Sequence, residues 1–208
     1  MSISSQLLIL NQTKGNIKTS INNKGVTVTD EAFAEYPDKV RLIPNGGGIY
    51  ESNIILWIEG SVKNAVIPSG TTEIGHFAFY FCTEMEKITI PDSVTVIENE
   101  AFSHCYALDS ITLPPYLVEA STRAFEDCTC LDNITFPSTV TTIGAEVCDG
   151  CTGLTAITCL ATTPPTLGTD AFRDTNNCPI YVPSASVLAY QTATEWMEYA
   201  SRITAITQ

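Results

Sequence analysis

The sequence is short of positive charge. Ten lysines and arginines face 23 aspartates and glutamates, a net charge of −13 over 208 residues. An acidic surface repels phosphate, which argues against nucleic acid and anionic membrane surfaces as partners. Histidine is scarcer still, with His76 and His104 alone. Cys148-x-x-Cys151 therefore has no second pair or nearby histidines with which to close a zinc site. There is no Ser-His-Asp pattern and no phosphate-binding glycine loop, so nothing in the chain points to catalysis or a cofactor. Long apolar runs are missing too. None approaches the ~18 residues a membrane span needs. The start, Met1-Ser2-Ile3-Ser4-Ser5, carries no basic stretch, and Leu7-Leu8-Ile9-Leu10 is too short for a secretion signal.

What the sequence does have is a 23-residue repeat with almost no drift. Proline recurs at Pro68, Pro91, Pro114 and Pro137, and cysteine at Cys82, Cys105, Cys128 and Cys151. Ala78-Phe79, Ala101-Phe102 and Ala124-Phe125 share one position, filled in the fourth copy by Val147-Cys148. A period in the twenties means a solenoid, in which each copy is one coil that cannot bury its own apolar side. Such a fold offers a long surface rather than a deep pocket.

One coil can be read residue by residue. Ile88-Thr89-Ile90 alternates as a short strand does, and Pro91 ends it by removing a ladder donor. Val94-Thr95-Val96-Ile97 is a second extended piece. Asn99-Glu100-Ala101-Phe102 is expected to form a helical or 3₁₀ turn that sends Ala101 and Phe102 inward. Cys105 and Leu108 close the coil. Parallel strands are expected at 87–90, 110–113, 133–136 and 156–159, with Ile88, Ile111, Ile134 and Ile157 inward. The eight cysteines are Cys82, Cys105, Cys128, Cys130, Cys148, Cys151, Cys159 and Cys178. Four of them stack on successive coils ~4.8 Å apart, wider than the ~3.8 Å between bridged Cβ atoms. They read as a ladder of buried, reduced thiols.

The outward strand positions form a candidate binding face: Lys87, Thr89, Ser110, Thr112, Asn133, Thr135 and Thr158. It is hydroxyl-rich and shallow. Residues 66–157 carry 13 acids against Lys87 and Arg123, so the repeats hold −11, whereas residues 1–44 are nearly neutral.

The repeat resembles the BspA-like leucine-rich repeats, a 23-residue class abundant in Bacteroidetes, spirochaetes and some protists. The family motif runs Ile-x-Ile-Pro-x-x-Val-x-x-Ile-Gly-x-x-Ala-Phe-x-x-Cys-x-x-Leu. Here Ile88, Ile90, Pro91, Val94, Ile97, Ala101, Phe102, Cys105 and Leu108 match it. Gly75 and Gly144 keep its glycine, which Glu98 replaces, and the third copy departs at Ala120-Ser121. The resemblance implies an α/β solenoid with a parallel strand ladder and a function in adhesion or in binding host or matrix proteins. It carries over no catalytic residues.

Four regions are expected: a helical attachment module at 1–44, a glycine joint (Gly46-Gly47-Gly48) and cap strand at 45–65, four repeats at 66–157, and a degenerate last repeat with a strand–helix cap at 158–208. In the cap, Ile180-Tyr181-Val182 reads as a strand. Ser184 is placed to N-cap a helix carrying Val187, Leu188 and Tyr190, and Trp196, Tyr199 and Ile203 supply apolar area. In the first module, Leu7, Leu10, Lys14, Ile17 and Ile21 are spaced 3-4-3-4, a narrow seam suited to a partner helix. That module is similar to a segment recurring in tail-associated proteins of phages and prophages of gut bacteria, through Lys14, Ile17, Ile21, Lys24-Gly25-Val26, Val28, Phe33, Tyr36 and Lys39-Val40.

The expectation is a non-enzymatic recognition module, associated with a phage or prophage virion and binding a protein partner or cell surface, with self-association through residues 1–44. Its location would be the virion, or the cytoplasm before assembly. The alternative is a bacterial cell-surface adhesin whose export signal has been removed.

Overall fold

A computed structural model describes residues 41–42, 48–51, 54–58 and 63–206. The chain divides into two compact units, Met1–Arg41 and Leu42–Gln208. The seam of Leu7, Leu10, Lys14, Ile17 and Ile21 lies outside the described residues.

In the second unit the chain winds through successive coils, each with two strands and a turn. The strands in chain order are β1 (Arg41–Leu42), β2 (Gly48–Glu51), β3 (Ile54–Ile58), β4 (Asn64–Val66), β5 (Glu73–Ile74), β6 (Lys87–Thr89), β7 (Val96–Ile97), β8 (Ser110–Ile111), β9 (Glu119–Ala120), β10 (Asn133–Phe136), β11 (Thr142–Ile143), β12 (Ala156–Cys159), β13 (Thr166–Leu167), β14 (Ile180–Val182) and β15 (Ile203–Ala205). One side of the stack is the parallel ladder β3-β5-β7-β9-β11-β13. β2 enters it as an antiparallel partner of β3, and Gly48 pairs with Ile58, so this glycine belongs to a strand rather than to a joint.

The second side is the expected parallel ladder, in two stretches: β4-β6-β8 and β10-β12-β14-β15. The strands at 133–136 and 156–159 have the expected bounds, whereas β8 is cut to Ser110–Ile111. The ladder also starts one coil earlier than the repeat reading placed it, at β4, and runs two strands further, to β15. The register is the expected one. Ile88, Ile111, Ile134 and Ile157 are buried while Thr89, Thr112 and Thr135 are exposed. A one-residue slip would have reversed every one of these.

The core is continuous along the stack. All eight inward positions of the second coil (Ile88, Ile90, Val94, Ile97, Ala101, Phe102, Cys105 and Leu108) are buried. At ~1.5–3 kcal/mol for each large side chain, repetition of this set supplies the main stabilising term. The phenylalanines form a stack: Phe79 and Phe102 lie 5.0 Å apart and 7° from parallel, Phe102 and Phe125 5.4 Å and 3°. The stack stops where Cys148 replaces phenylalanine. The missing volume is offset in the same coil by Phe136, which stands where Ile90 stands in the second coil and meets Phe172 at 6.4 Å. Large and small residues exchange places, and packing density is kept.

The third side corrects the expected helical or 3₁₀ turn. The backbone there is a run of tight turns, with left-handed φ four residues apart at Phe77 and Phe81, Glu100 and His104, Arg123 and Asp127, and Glu146 and Gly150. Its N–H groups fall by turns into two sets. Those of Glu100, Phe102 and His104 point along the stack to the carbonyls of Thr122, Ala124 and Glu126. Those of Ala101, Ser103 and Cys105 close local turns on Glu98, Glu100 and Phe102. A helix would have used all of them locally. The turn side therefore bonds coil to coil as the strands do, and buried backbone groups stay satisfied.

The cysteine ladder has a polar role as well. The Cys105 thiol donates to the Phe79 carbonyl at 3.2 Å, Cys128 to Phe102 at 3.3 Å and Cys151 to Phe125 at 3.0 Å. Each of these carbonyls also accepts the N–H of the cysteine in its own turn. Cysteine fits this position because it is small, apolar and still a donor. Burial pushes the Cys105, Cys128 and Cys148 thiols well above their usual range, which keeps them unreactive. No disulfide joins any of the eight cysteines, and Cys130 alone among them is exposed. Alkylation of the native protein should thus label Cys130 first, and denaturation without reductant should expose all eight; a surviving bridge would overturn the ladder. Cys105→Ser buries a hydroxyl whose acceptor, the Phe79 carbonyl, is already in place. Its expected cost in urea unfolding is about 1 kcal/mol.

Coils approach closely at the corner after the second strand. A Cβ on Gly144 would lie 2.3 Å from the backbone carbon of Ser121, and one on Gly168 2.1 Å from the backbone nitrogen of Ala145. Backbone cannot move aside as a side-chain tip can. Gly144→Ala should destabilise by roughly 1–3 kcal/mol or more, seen as a lower urea midpoint with an unchanged slope.

The C-terminal cap closes the stack with a 3₁₀ turn Ser184–Ser186, the helix α1 (Val187–Thr192), a second 3₁₀ helix Met197–Arg202 and β15. Ser184 is not the cap residue. Pro183 precedes the first turn, no side chain caps it, and Ser186 instead bonds the Thr162 carbonyl. Leu188 points to solvent, while Tyr190, Trp196, Tyr199 and Ile203 are buried. The aromatic tips are all paired: Tyr190 to the Ala161 carbonyl, Trp196 to the Pro165 carbonyl, and Tyr199 as acceptor from the Phe172 N–H.

Candidate functional site

The strand side places its predicted residues in columns set by the ladder register. Lys87 stands beside Ser110, and Thr89 beside Val66, which is exposed. Further along, Thr135 stands beside Thr158, which is followed by Tyr181 and then Thr204. Lys87, Thr89, Ser110, Thr112, Asn133 and Thr135 are exposed, and Thr158 is half-buried. The repeat reading missed Val66, Tyr181 and Thr204 on this face. The strand pattern of Ile180-Tyr181-Val182 already carried Tyr181 outward.

The turn side holds a feature the sequence reading did not single out. Phe77 and Phe81 are 44% and 46% exposed, and Tyr106 37%. With Tyr80 and His104 they form one connected aromatic surface. Ring centroids are 5.3 Å apart for Phe77–Tyr80, 4.9 Å for Tyr80–Phe81, 4.5 Å for Phe81–His104 and 5.7 Å for His104–Tyr106. In the run Phe77-Ala78-Phe79-Tyr80-Phe81 only Ala78 and Phe79 are core residues. The left-handed φ at Phe77 and Phe81 turns their rings out. A signal was present: the same positions in later coils hold Glu100, Arg123 and Glu146, and His104, Asp127 and Gly150, which are solvent residues.

The charges around this surface are acidic. Burial, then Glu100 and Glu126, hold the Tyr80 phenol above its usual range; burial, then Asp127 and Glu126, do the same for Tyr106. His104 Nδ1 lies 3.1 Å from Asp127 Oδ2 and 3.3 Å from the Tyr106 hydroxyl. This His–Asp pair has no thiol to activate, because Cys105 is turned inward onto the Phe79 carbonyl.

Further along, Glu126, Glu146 and Asp149 bring carboxylate oxygens within 4.8 Å of one another. Guanidinium groups already occupy them. Arg123 pairs with Glu146 and, at 3.5 Å, with Glu126, while Arg173 grips Asp149 through two bonds. The cluster is an ion-pair network across coils.

Stacked carboxylates give the stack a pH dependence. Glu73 and Glu100 sit above their usual value of 4.5, through burial first and then through the neighbouring carboxylates of Glu98 and Glu126. Glu146 sits below it, through the Arg123 hydrogen bond. An acid raised on folding contributes stability below its unfolded pKa and loses it as pH rises through its folded value; a depressed acid does the reverse, on the low side. The melting temperature should therefore rise as pH falls from 7 toward the usual carboxylate value of 4.5, then drop below it. Glu100→Gln should flatten the upper limb in a thermal melt series; an unchanged limb would remove Glu100 as its source.

Among the described residues, no helix is long and apolar enough to cross a membrane. Stacked coils with two parallel ladders, a phenylalanine column and a sealed end define a leucine-rich-repeat solenoid. Six copies of the BspA type leucine rich repeat match residues 57–179, and the chain belongs to that family. Among solved structures it is similar to a leucine-rich repeat protein of T. pallidum, at 29% identity over 80% of this chain and 77% of that one, with a TM-score of 0.63. A leucine-rich repeat protein of Bacteroides ovatus is 29% identical over 69% of this chain and 45% of that one, with a TM-score of 0.50. The pneumococcal vaccine antigen PcpA shares the fold at 17% identity, over 84% of this chain and 49% of that one, with a TM-score of 0.63. No match is found among curated proteins.

Proposed function

We propose that this solenoid is a non-enzymatic recognition module that binds a protein or cell-surface ligand in the manner of an adhesin. One observation carries the reading. The core uses eight inward positions per coil, and the outward strand positions, Lys87, Thr89, Ser110, Thr112, Asn133 and Thr135, stand exposed in register, with Thr158 at their end. A rigid scaffold that presents a regular side-chain array is built for surface contact. The test is retention of the purified chain on immobilised matrix proteins and on intact cells, compared with a Thr112→Arg, Thr135→Arg variant. Retention that the variant loses supports the strand face. Retention on no protein or cell surface would remove the reading.

A second reading, attachment to a phage or prophage structure, rests on the resemblance of residues 1–44. Deleting them should leave a folded, soluble repeat domain that no longer assembles. An intact chain that stays monomeric and binds no virion protein would end that reading.

A further inference from the structure

We infer that the turn-side surface of Phe77, Tyr80, Phe81, His104 and Tyr106 is a docking site for an arginine-bearing segment of a partner protein. The inference rests on the protein-binding reading above and adds a place and a partner chemistry.

Three observations converge. First, aromatic side chains stand where the fold asks for none. Phe77 and Phe81 both have φ of 58°, a region bulky residues rarely adopt, and their rings add little to the core. The same left-handed φ recurs at Glu100 and His104 in the next coil, so the fold asks for the turn and not for a ring. Second, the surface is held in shape before any partner arrives. Phe77 meets Tyr80 at 88°, Tyr80 meets Phe81 at 62° and Phe81 meets Tyr106 at 83°, so the rings brace one another edge to face. Clustered aromatics with fixed geometry are what anchors at protein interfaces look like. Third, carboxylates border the rings: Asp127 reaches the His104 ring at 3.1 Å and Glu100 bears on Tyr80, while Glu126 beside them is already held by Arg123.

Aromatic faces beside carboxylates fit a guanidinium, which stacks on a ring and pairs with a carboxylate through parallel N–H bonds. Lysine supplies the charge without the plane. Phosphate-bearing partners are repelled. A sugar platform needs a ring laid open and flat, whereas these rings cross steeply.

The probe is a fluorescein-labelled ten-residue peptide of alternating arginine and glycine, titrated into the intact chain by fluorescence polarisation. Alternating lysine–glycine and glutamate–glycine peptides and cellohexaose serve as competitors. Phe77→Gly with Phe81→Gly removes two rings at positions where glycine suits the backbone, and leaves the net charge unchanged. Loss of binding in this variant thus cannot come from diffuse attraction to an acidic chain. The expected result is a weakening of about tenfold or more, the scale of an interface anchor. Arginine peptide should compete better than lysine peptide, and Glu100→Gln should weaken binding while Thr112→Arg should not. A circular dichroism melt confirms that each variant is folded. Equal binding by the double glycine variant overturns the inference, as does displacement by cellohexaose in preference to peptide. Failure of the intact chain to bind overturns it too. If any of these holds while the chain is still retained on protein surfaces, the protein-binding reading stands and this docking site alone is lost.

Discussion

Phe102→Ala should lower the unfolding free energy by about 3–5 kcal/mol, measured in urea by circular dichroism. Phe102 is fully buried, with Phe79 on one side and Phe125 on the other. Removing it forfeits two stacked contacts and opens a cavity between them. The neighbours cannot close the gap by sliding together. The Phe79 N–H is bonded to the Ala101 carbonyl at 2.7 Å, and the Phe102 N–H to the Ala124 carbonyl at 2.8 Å, which fixes the coil spacing. The cost therefore belongs at the full cavity end of the range. Phe81→Gly is the control. It removes a ring of the same size from the surface and should change stability by no more than about 0.5 kcal/mol. Equal losses from the two substitutions would show that the phenylalanine column is not the core.

Trp196→Ala should cost a similar ~3–5 kcal/mol, but in a different part of the molecule. Trp196 is fully buried, meets the Tyr190 ring edge to face at 4.7 Å, and donates its indole N–H to the Pro165 carbonyl at 2.9 Å. Alanine leaves a cavity and an orphaned carbonyl together. In a repeat stack each coil contacts only its neighbours, so damage at one end should spread as fraying before it becomes global unfolding. Hydrogen exchange should show early loss of protection in β13, β14 and β15 while β6 and β7 keep theirs. Simultaneous loss in all five strands would mean that the solenoid unfolds as a single cooperative unit.

The inward positions were legible in the sequence because a repeat is its own alignment. Ile and Cys recur in all four copies and Ala-Phe in three, at fixed offsets that leave one way to fill a coil, and the strand register follows from which isoleucine is flanked by threonine. The thiol hydrogen bonds were not legible. Their acceptor is the carbonyl of a residue in the preceding coil, and no spacing in the chain reveals where a carbonyl points. The hand of the turns was hidden for a similar reason. Ordinary residues such as Glu100 and Arg123 take a left-handed φ because the next coil's carbonyls reward it, against their own preference. Only the glycine at Gly150 hinted at this. The compensation for Val147-Cys148 was hidden as well, because Phe136 lies at a different repeat position and meets Phe172 of the next coil. The outward strand positions Lys87, Thr89, Ser110, Thr112, Asn133 and Thr135 are exposed, as alternation requires. The aromatic surface was missed, because its location depends on the hand of the turns.

The turn side tolerates varied side chains. Its two left-handed positions per coil are filled within this single chain by phenylalanine, glutamate, arginine, histidine, aspartate and glycine, while the inward positions beside them barely change. The backbone there is dictated by bonds between main chains, so side-chain identity is released from the task of folding. Such a surface can be rewritten one residue at a time while the scaffold stands. Repeat by repeat, the protein has kept its architecture and its lexicon apart.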